Sequence, residues 1–215
     1  MKKKMVRFPA IAMSSIFVLT SVVAGAPLTG HAQEDNAGVQ VVDNTGTLPY
    51  LDTSLSFEER AADLVSRMTL EEKQSQLKAR TAAAIPRLGV RAYDWWSEAL
   101  HGVARSGEAT SFPTGLGIAS TWDRELVQEM MDITSDEARA YTNEKGKGLS
   151  YWSPTINMAR DPRWGRAEET YGEDPYLSAQ IGNSFVRGLQ GDDDTYLKSI
   201  ATIKHFALNN SEFNR

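Results

Sequence analysis

Apolar residues recur at helical spacing in four stretches of the chain and gather into short runs in three others. Ser56-Phe57-Glu58-Glu59 reads as a capping box, in which a Ser side chain and a Glu three residues on satisfy the first free amides of a helix. Ala61, Leu64, Val65 and Met68 follow at helical spacing. Thr69-Leu70-Glu71-Glu72 repeats the cap and predicts a second short helix, which Ile85-Pro86-Arg87-Leu88-Gly89-Val90 breaks. Residues 123–141 predict a long helix with Leu126, Met130, Ile133 and Tyr141 along one stripe. Residues 174–189 begin with an Asp cap and Pro175 at the first helical position, then place Leu177, Ile181, Phe185 and Leu189 four apart, with Gly191 to close. The apolar runs at 91–95, 149–152 and 200–206 read as buried strands. Strands alternating with helices predict an α/β fold with a parallel sheet built from β-α units.

The first part of the chain follows a different pattern. Lys2, Lys3, Lys4 and Arg7 precede an uncharged stretch at 8–26, and small residues follow it. A basic start, an apolar middle and a small-residue exit make residues 1–32 a secretory signal peptide, with Gly30 and Ala32 as the small positions before the cut. The competing reading is an uncleaved membrane anchor, since this stretch approaches the roughly 20 residues needed to span a bilayer. Cleavage places the protein outside the cytoplasm, secreted or periplasmic, and free of the membrane. Residues 33–55, polar and rich in turn formers, read as an exposed lead-in.

Composition narrows the class. The chain has 215 residues, 41% of them hydrophobic and 24% charged, as in globular proteins. It has no cysteine, which excludes disulfides, thiolate metal sites, a cysteine nucleophile and a lipid anchor on cysteine. The net charge is −5. The leader holds four cations and no acid, so the remaining 183 residues stand at −9. With no basic block, nucleic acid is not the expected partner.

Functional groups concentrate where the periodic elements stop, at 93–102, 157–174, 204–206 and 209–215. In a parallel α/β fold the loops after the strand ends build the site. Carboxylates, Arg and Lys grip hydroxyls through charge-assisted hydrogen bonds, and indole faces cover sugar rings. The same residues also fit solvent-exposed ion pairs and ordinary aromatic packing. Neither His101 nor His205 has the spacing of a metal ligand, so no metal is expected.

Taken together, five ordered blocks resemble glycoside hydrolase family 3 in its β-glucosidase and β-xylosidase branch. They are MTLEEK at 68–73, YDWWSEALHG at 93–102, FPTGLGIASTWD at 112–123, SYWSPTINMARDPRWGRAEETYGEDPYL at 150–177 and KHFALNNSEFNR at 204–215. The resemblance implies that residues 56–215 form an incomplete N-terminal TIM-type (β/α)8 barrel, comprising only the first several units. It implies retaining, exo-acting hydrolysis of terminal β-linked xylose or glucose from oligosaccharides, with no cofactor. Glu98, Arg166, Lys204, His205 and, more weakly, Arg215 would bind the sugar. Asp161 and Glu169 would orient those groups, and Trp95, Trp96 and Trp164 would be pocket walls. The Ala207-Leu208-Asn209-Asn210 continuation departs from the N-acetylglucosaminidase pattern. Glu at position 98, where many glucosidases carry Asp, leans toward xylosidases, because the longer side chain leaves less room for a hydroxymethyl group. The family's nucleophile and acid/base fall after the 204–206 block, so no catalytic residue is expected in this chain, and the chain alone is expected to be inactive. The alternative is a non-catalytic extracellular sugar-binding module.

Overall fold

The computed structural model describes residues 48–213. The leader at 1–32, residues 33–47 of the lead-in, and Arg215 lie outside the described residues.

Both predicted capping boxes form. The Ser56 Oγ accepts from the Glu59 amide at 3.2 Å and the Glu59 carboxylate accepts from the Ser56 amide at 2.9 Å, opening α1 (Phe57–Arg67). Thr69 and Glu72 repeat the exchange at 3.2 and 2.8 Å to open α2 (Leu70–Gln76). A small apolar cluster of Met68, Ile85 and Leu88 seats this region. Tyr50, which falls in the stretch read as an exposed lead-in, is buried. Its hydroxyl donates to the Leu88 carbonyl at 3.0 Å, and its amide donates to Asp63 at 3.1 Å.

The run at 91–95 is not a buried strand of a parallel sheet. It contributes only β2 (Tyr93–Asp94), half-buried, which pairs antiparallel with β1 (Thr81–Ala82). The intervening Pro86–Leu88 helical turn and the Ile85–Val90 bridge fold the chain back on itself, and that reversal imposes the antiparallel direction.

The expected parallel unit is found farther along. β3 (Ser150–Tyr151), α5 (Pro175–Gln190) and β4 (Ile200–Ala201) form a strand–helix–strand unit whose strands run parallel. The pairing continues past the strands proper. Lys204 donates its amide to the Pro154 carbonyl at 3.0 Å, and its own carbonyl accepts from the Ile156 amide at 2.9 Å. Among the described residues the two sheets have two strands each and no sheet closes. α3 (Gly115–Ala119) and α4 (Arg124–Lys145) precede this unit, and α4 packs on α5.

α5 buries the predicted stripe: Ile181, Phe185 and Leu189 are fully inaccessible. α4 does not. Leu126 and Ile133 are exposed, and the buried face carries Val127, Met130, Met131, Thr134, Ser135 and Ala138. Two facts make the polar members tolerable there. Thr134 donates its hydroxyl to the Met130 carbonyl at 2.8 Å, and Ser135 donates to the Asp132 carbonyl at 2.8 Å, so both groups are satisfied within the helix. The close approach itself depends on Gly188, where a Cβ would lie 2.2 Å from the Gln128 carbonyl oxygen of α4.

Tyr151 is fully buried in the same core, and its hydroxyl has no hydrogen-bond partner. Burial pushes that phenol up to about 12. A buried unpaired hydroxyl costs roughly 1–3 kcal/mol. Tyr151→Phe is therefore expected to leave the urea midpoint unchanged or raise it, and a clear loss of stability would contradict this account of the core.

Candidate functional site

The continuing β3–β4 pairing sets Thr155 beside Lys204, and the polar side chains converge just beyond the strands. Glu169 is the centre. It closes a 3-10 turn (Ala167–Glu169) and takes both arms of Arg166, at 2.6 Å from Nε and 2.7 Å from Nη2. The spacing of three residues makes this fork local, so the sequence predisposes it. Gly115 of α3 lets the turn sit close: a Cβ there would meet the Glu169 carbonyl oxygen at 2.5 Å.

Lys204 reaches the same carboxylate across the fold. Its Nζ lies 3.6 Å from Glu169 Oε2 and 4.0 Å from Glu98 Oε2, and its side chain is only 11% exposed. Both distances exceed the usual range for a short charge-assisted hydrogen bond, so the ammonium keeps donors for a further oxygen. Burial pushes the Glu169 carboxyl up, but the Arg166 fork and the Lys204 charge outweigh it and hold the group below its ordinary value. The same pairing raises Arg166.

His205 is locked by a residue to which the sequence reading assigned no role. Asn157 Oδ1 accepts from the His205 amide at 2.9 Å, and its Nδ2 donates to the Asn209 carbonyl at 2.7 Å, which settles which end of the amide is oxygen. That oxygen also faces His205 Nδ1 at 3.0 Å, so Nδ1 carries the proton in this arrangement. Nε2 then accepts from Arg166 Nη1 at 3.1 Å. The only hint of Asn157 in the sequence was its place beside the Arg- and Trp-rich block.

The structure thus brings together Glu98, Arg166, Lys204, His205 and Glu169. Trp96 joins them through Nε1–H, 3.5 Å from Glu98 Oε1. Trp164 is buried and donates to Glu212 at 3.3 Å, and the Glu212 charge in turn acts on Arg166. Asp161 is not part of the cluster. It pairs with Arg163 at 2.6 Å on the surface, and that pairing pulls its carboxyl down to about 2. Trp95 is exposed and packs against Tyr93 with ring centres 4.8 Å apart and the planes tilted by 53°. Arg215 lies outside the described residues.

Two clefts lie nearby, the first touching the cluster through Glu98 and the second lined by none of the five clustered residues. One, of about 330 Å³, has Glu98 and His101 in its wall; the other, of about 570 Å³, is lined by Asp161, Trp164, Asn210 and Glu212 among others. Among the described residues no group of His, Asp or Glu is arranged to hold a metal ion, and no helix is long and apolar enough to cross a membrane. Two carboxylates and two cations, held at fixed positions by each other, form a site with many donors and acceptors and little net charge. Such a set suits a neutral ligand rich in hydroxyl groups.

The family model described as "Glycosyl hydrolase family 3 N terminal domain" matches residues 54–212. A xylan 1,4-beta-xylosidase of Xylanibacter ruminicola is 48% identical over 173 residues, which cover 75% of this chain and 20% of the relative. An exo-1,4-beta-xylosidase of Emericella nidulans is 47% identical over 171 residues, covering 74% and 22%. The chain therefore spans about a fifth of the length of these curated relatives. Among solved structures, a GH3 exo-beta-xylosidase in complex with a xylobiose aziridine activity-based probe aligns with TM-score 0.70 and 39% identity, over 76% of this chain and 22% of that one. Beta-glucosidase 3B from Thermotoga neapolitana, in complex with alpha-D-glucose, aligns with TM-score 0.60 and 30% identity, over 73% and 24%.

Proposed function

The chain belongs to glycoside hydrolase family 3, and from that premise we propose that residues 48–213 are the sugar-holding part of a retaining exo-β-glycosidase that releases terminal β-linked xylose or glucose. The observation that carries this reading is the Glu98–Lys204–Glu169–Arg166–His205 cluster at the ends of the parallel pair. Glu98 accepts hydrogen bonds from ring hydroxyls, Arg166 and Lys204 donate to them, and Glu169 holds the two cations in place. His205 lies at the edge of the same set, fixed by Asn157. The parallel β3–α5–β4 unit belongs, on this reading, to a TIM-type barrel whose remaining strands other polypeptide supplies.

Retaining hydrolysis requires two carboxyl groups roughly 5–5.5 Å apart on either side of the glycosidic bond. Here Glu169 is held ionised by the Arg166 fork and the Lys204 charge, so it does not serve as the proton donor. The nucleophile and the acid/base come from polypeptide other than these residues. The relatives' names and the longer carboxylate at position 98 both favour xylose over glucose. The leader pattern at 1–32 supports export, secreted or periplasmic.

Protein-observed NMR titration of the purified 215-residue chain with xylose and with glucose tests this division of labour. Xylose is expected to shift resonances of the five clustered residues and to bind more tightly than glucose. Glu98→Asp is expected to reverse or level that preference by making room for a hydroxymethyl group. Turnover of nitrophenyl β-xyloside by the chain alone, or sugar-induced shifts away from the cluster, would overturn the proposal.

A further inference from the structure

Around Trp96 the structure carries a contact network that sugar binding does not by itself require. The guanidinium carbon of Arg105 lies 3.9 Å from the indole centre and that of Arg80 lies 4.7 Å from it. Trp152 approaches the same indole at 6.2 Å, tilted by 36°. Arg80 has an ionic partner: Asp94 binds it at 3.1 Å and also accepts the Trp96 amide at 3.0 Å. No carboxylate pairs with Arg105 among the described residues, and the interaction seen for its guanidinium is with the Trp96 face.

The backbone delivers Arg105 to that position. The Glu98 carbonyl accepts from the Ala104 amide at 2.8 Å, and the Ser97 hydroxyl donates to the Ala104 carbonyl at 3.2 Å, which closes the loop between them. Arg105 follows with φ of 64°, a left-handed conformation sparsely occupied by residues other than glycine. At the other edge of the indole, Nε1–H reaches Glu98 Oε1 at 3.5 Å, the outer limit of a hydrogen bond. A small rotation of the ring decides whether that bond exists.

We propose that Arg105 is a positioning residue that sets the Glu98 carboxylate through the indole of Trp96. A cation over the ring face fixes the ring, and the fixed ring aims its only donor at the carboxylate. Glu98 is thereby held from one side by Trp96 and from the other by Lys204. The sugar-binding consequence rests on the role given to Glu98 above, whereas the coupling itself does not. Because a guanidinium occupies its face, Trp96 is a support for the carboxylate more than a wall for the ligand.

The ¹H–¹⁵N spectrum of the tryptophan indoles in the whole chain provides the test, with Trp96→Phe assigning the resonance. Glu98→Gln is expected to move the Trp96 indole signal, and Arg105→Ala to move it as well, while Arg105→Lys stays nearer the parent. The decisive comparison is the double variant: if Arg105 acts through Trp96 on Glu98, adding Arg105→Ala to Glu98→Gln moves the signal less than the sum of the two single shifts. Additive shifts, or a Trp96 signal indifferent to either change, would overturn the proposal. Should the alanine variant unfold, Arg105→Met retains the aliphatic stem and removes the cation. In xylose titrations Arg105→Ala is expected to weaken affinity about two- to fivefold, with no further loss in the Glu98→Gln background. If the parent chain binds no xylose, the sugar reading fails, and the indole shifts still decide the coupling.

Discussion

Glu169→Ala is expected to destabilise the domain by about 2–3 kcal/mol at neutral pH and to abolish measurable xylose binding. The carboxylate satisfies a bidentate guanidinium at 2.6 and 2.7 Å and an ammonium at 3.6 Å, on side chains that are 22% and 11% exposed. Removing it leaves two poorly hydrated cations facing each other, and Arg166 loses the fork that presents its remaining nitrogen to His205. Glu169→Gln keeps the shape and one acceptor, so its loss should be smaller in stability than in binding. The pH dependence follows from the lowered carboxyl. Because the folded-state value lies below the ordinary one, the stabilisation is complete above the ordinary Glu range and is lost as pH falls through the lowered value. Urea titrations at several acidic pH values should therefore show a steeper loss in the parent than in the alanine variant. Equal slopes would remove Glu169 from the centre of the site.

Phe185→Ala is expected to cost about 3–5 kcal/mol, the largest effect of any single truncation in the core. Phe185 is fully buried on α5 against α4, one turn before Gly188, where the α5 backbone meets the Gln128 backbone and the Met131 side chain of α4. The helices are too closely seated to collapse into the space left by a phenyl ring, so most of the cavity should persist. For a domain of this size each kcal/mol lowers Tm by roughly 2–4 °C, which puts the expected drop at roughly 6–20 °C. A calorimetric scan decides it. A loss below about 1 kcal/mol would mean that the α4–α5 contact is not the main support of the β3–α5–β4 unit.

That unit matters to the chemistry because two of its parts hold the site. Arg166 and Glu169 lie between β3 and α5, and Lys204 and His205 lie past β4. Loosening α5 is therefore expected to disturb the cluster without touching any residue in it.

How much of this was legible beforehand depended on range. Ser56, Thr69 and Asp174 cap their helices as their neighbours predict, because a cap is a bargain among residues three apart. On α5 the buried stripe was also plain, since only one face is apolar. α4 has two overlapping stripes, and both Leu126–Met130–Ile133 and Val127–Met131–Thr134 satisfy helical spacing. The second was chosen by the fit against Gly188 and by hydroxyls that bond within their own helix. The short run at 91–95 looked like any apolar strand, and its antiparallel pairing was set by the turn at 86–89.

The site divides along the same line. Residue types were readable, and so was the capacity of Asp161, Arg163, Arg166 and Glu169 for ion pairing, but not which of them pair. From the sequence Asp161 and Glu169 were equivalent candidates, and the fold separated them by leaving one in solvent and placing the other beside Lys204. Asn157 gave no signal beyond its place beside the Arg- and Trp-rich block, because an Asn that locks a His forty-eight residues away is invisible until a parallel pair of strands puts them side by side. The sequence by itself determined four of the five helices, three of their caps, the charged and aromatic groups available for chemistry, and the family resemblance. Which face of α4 is buried, which carboxylate is shared by two cations, and how His205 and Glu98 are held were decided only by tertiary structure. Caps and spacing act within a turn, whereas hydrogen bonds between distant segments exist only after the chain has closed the loops between them.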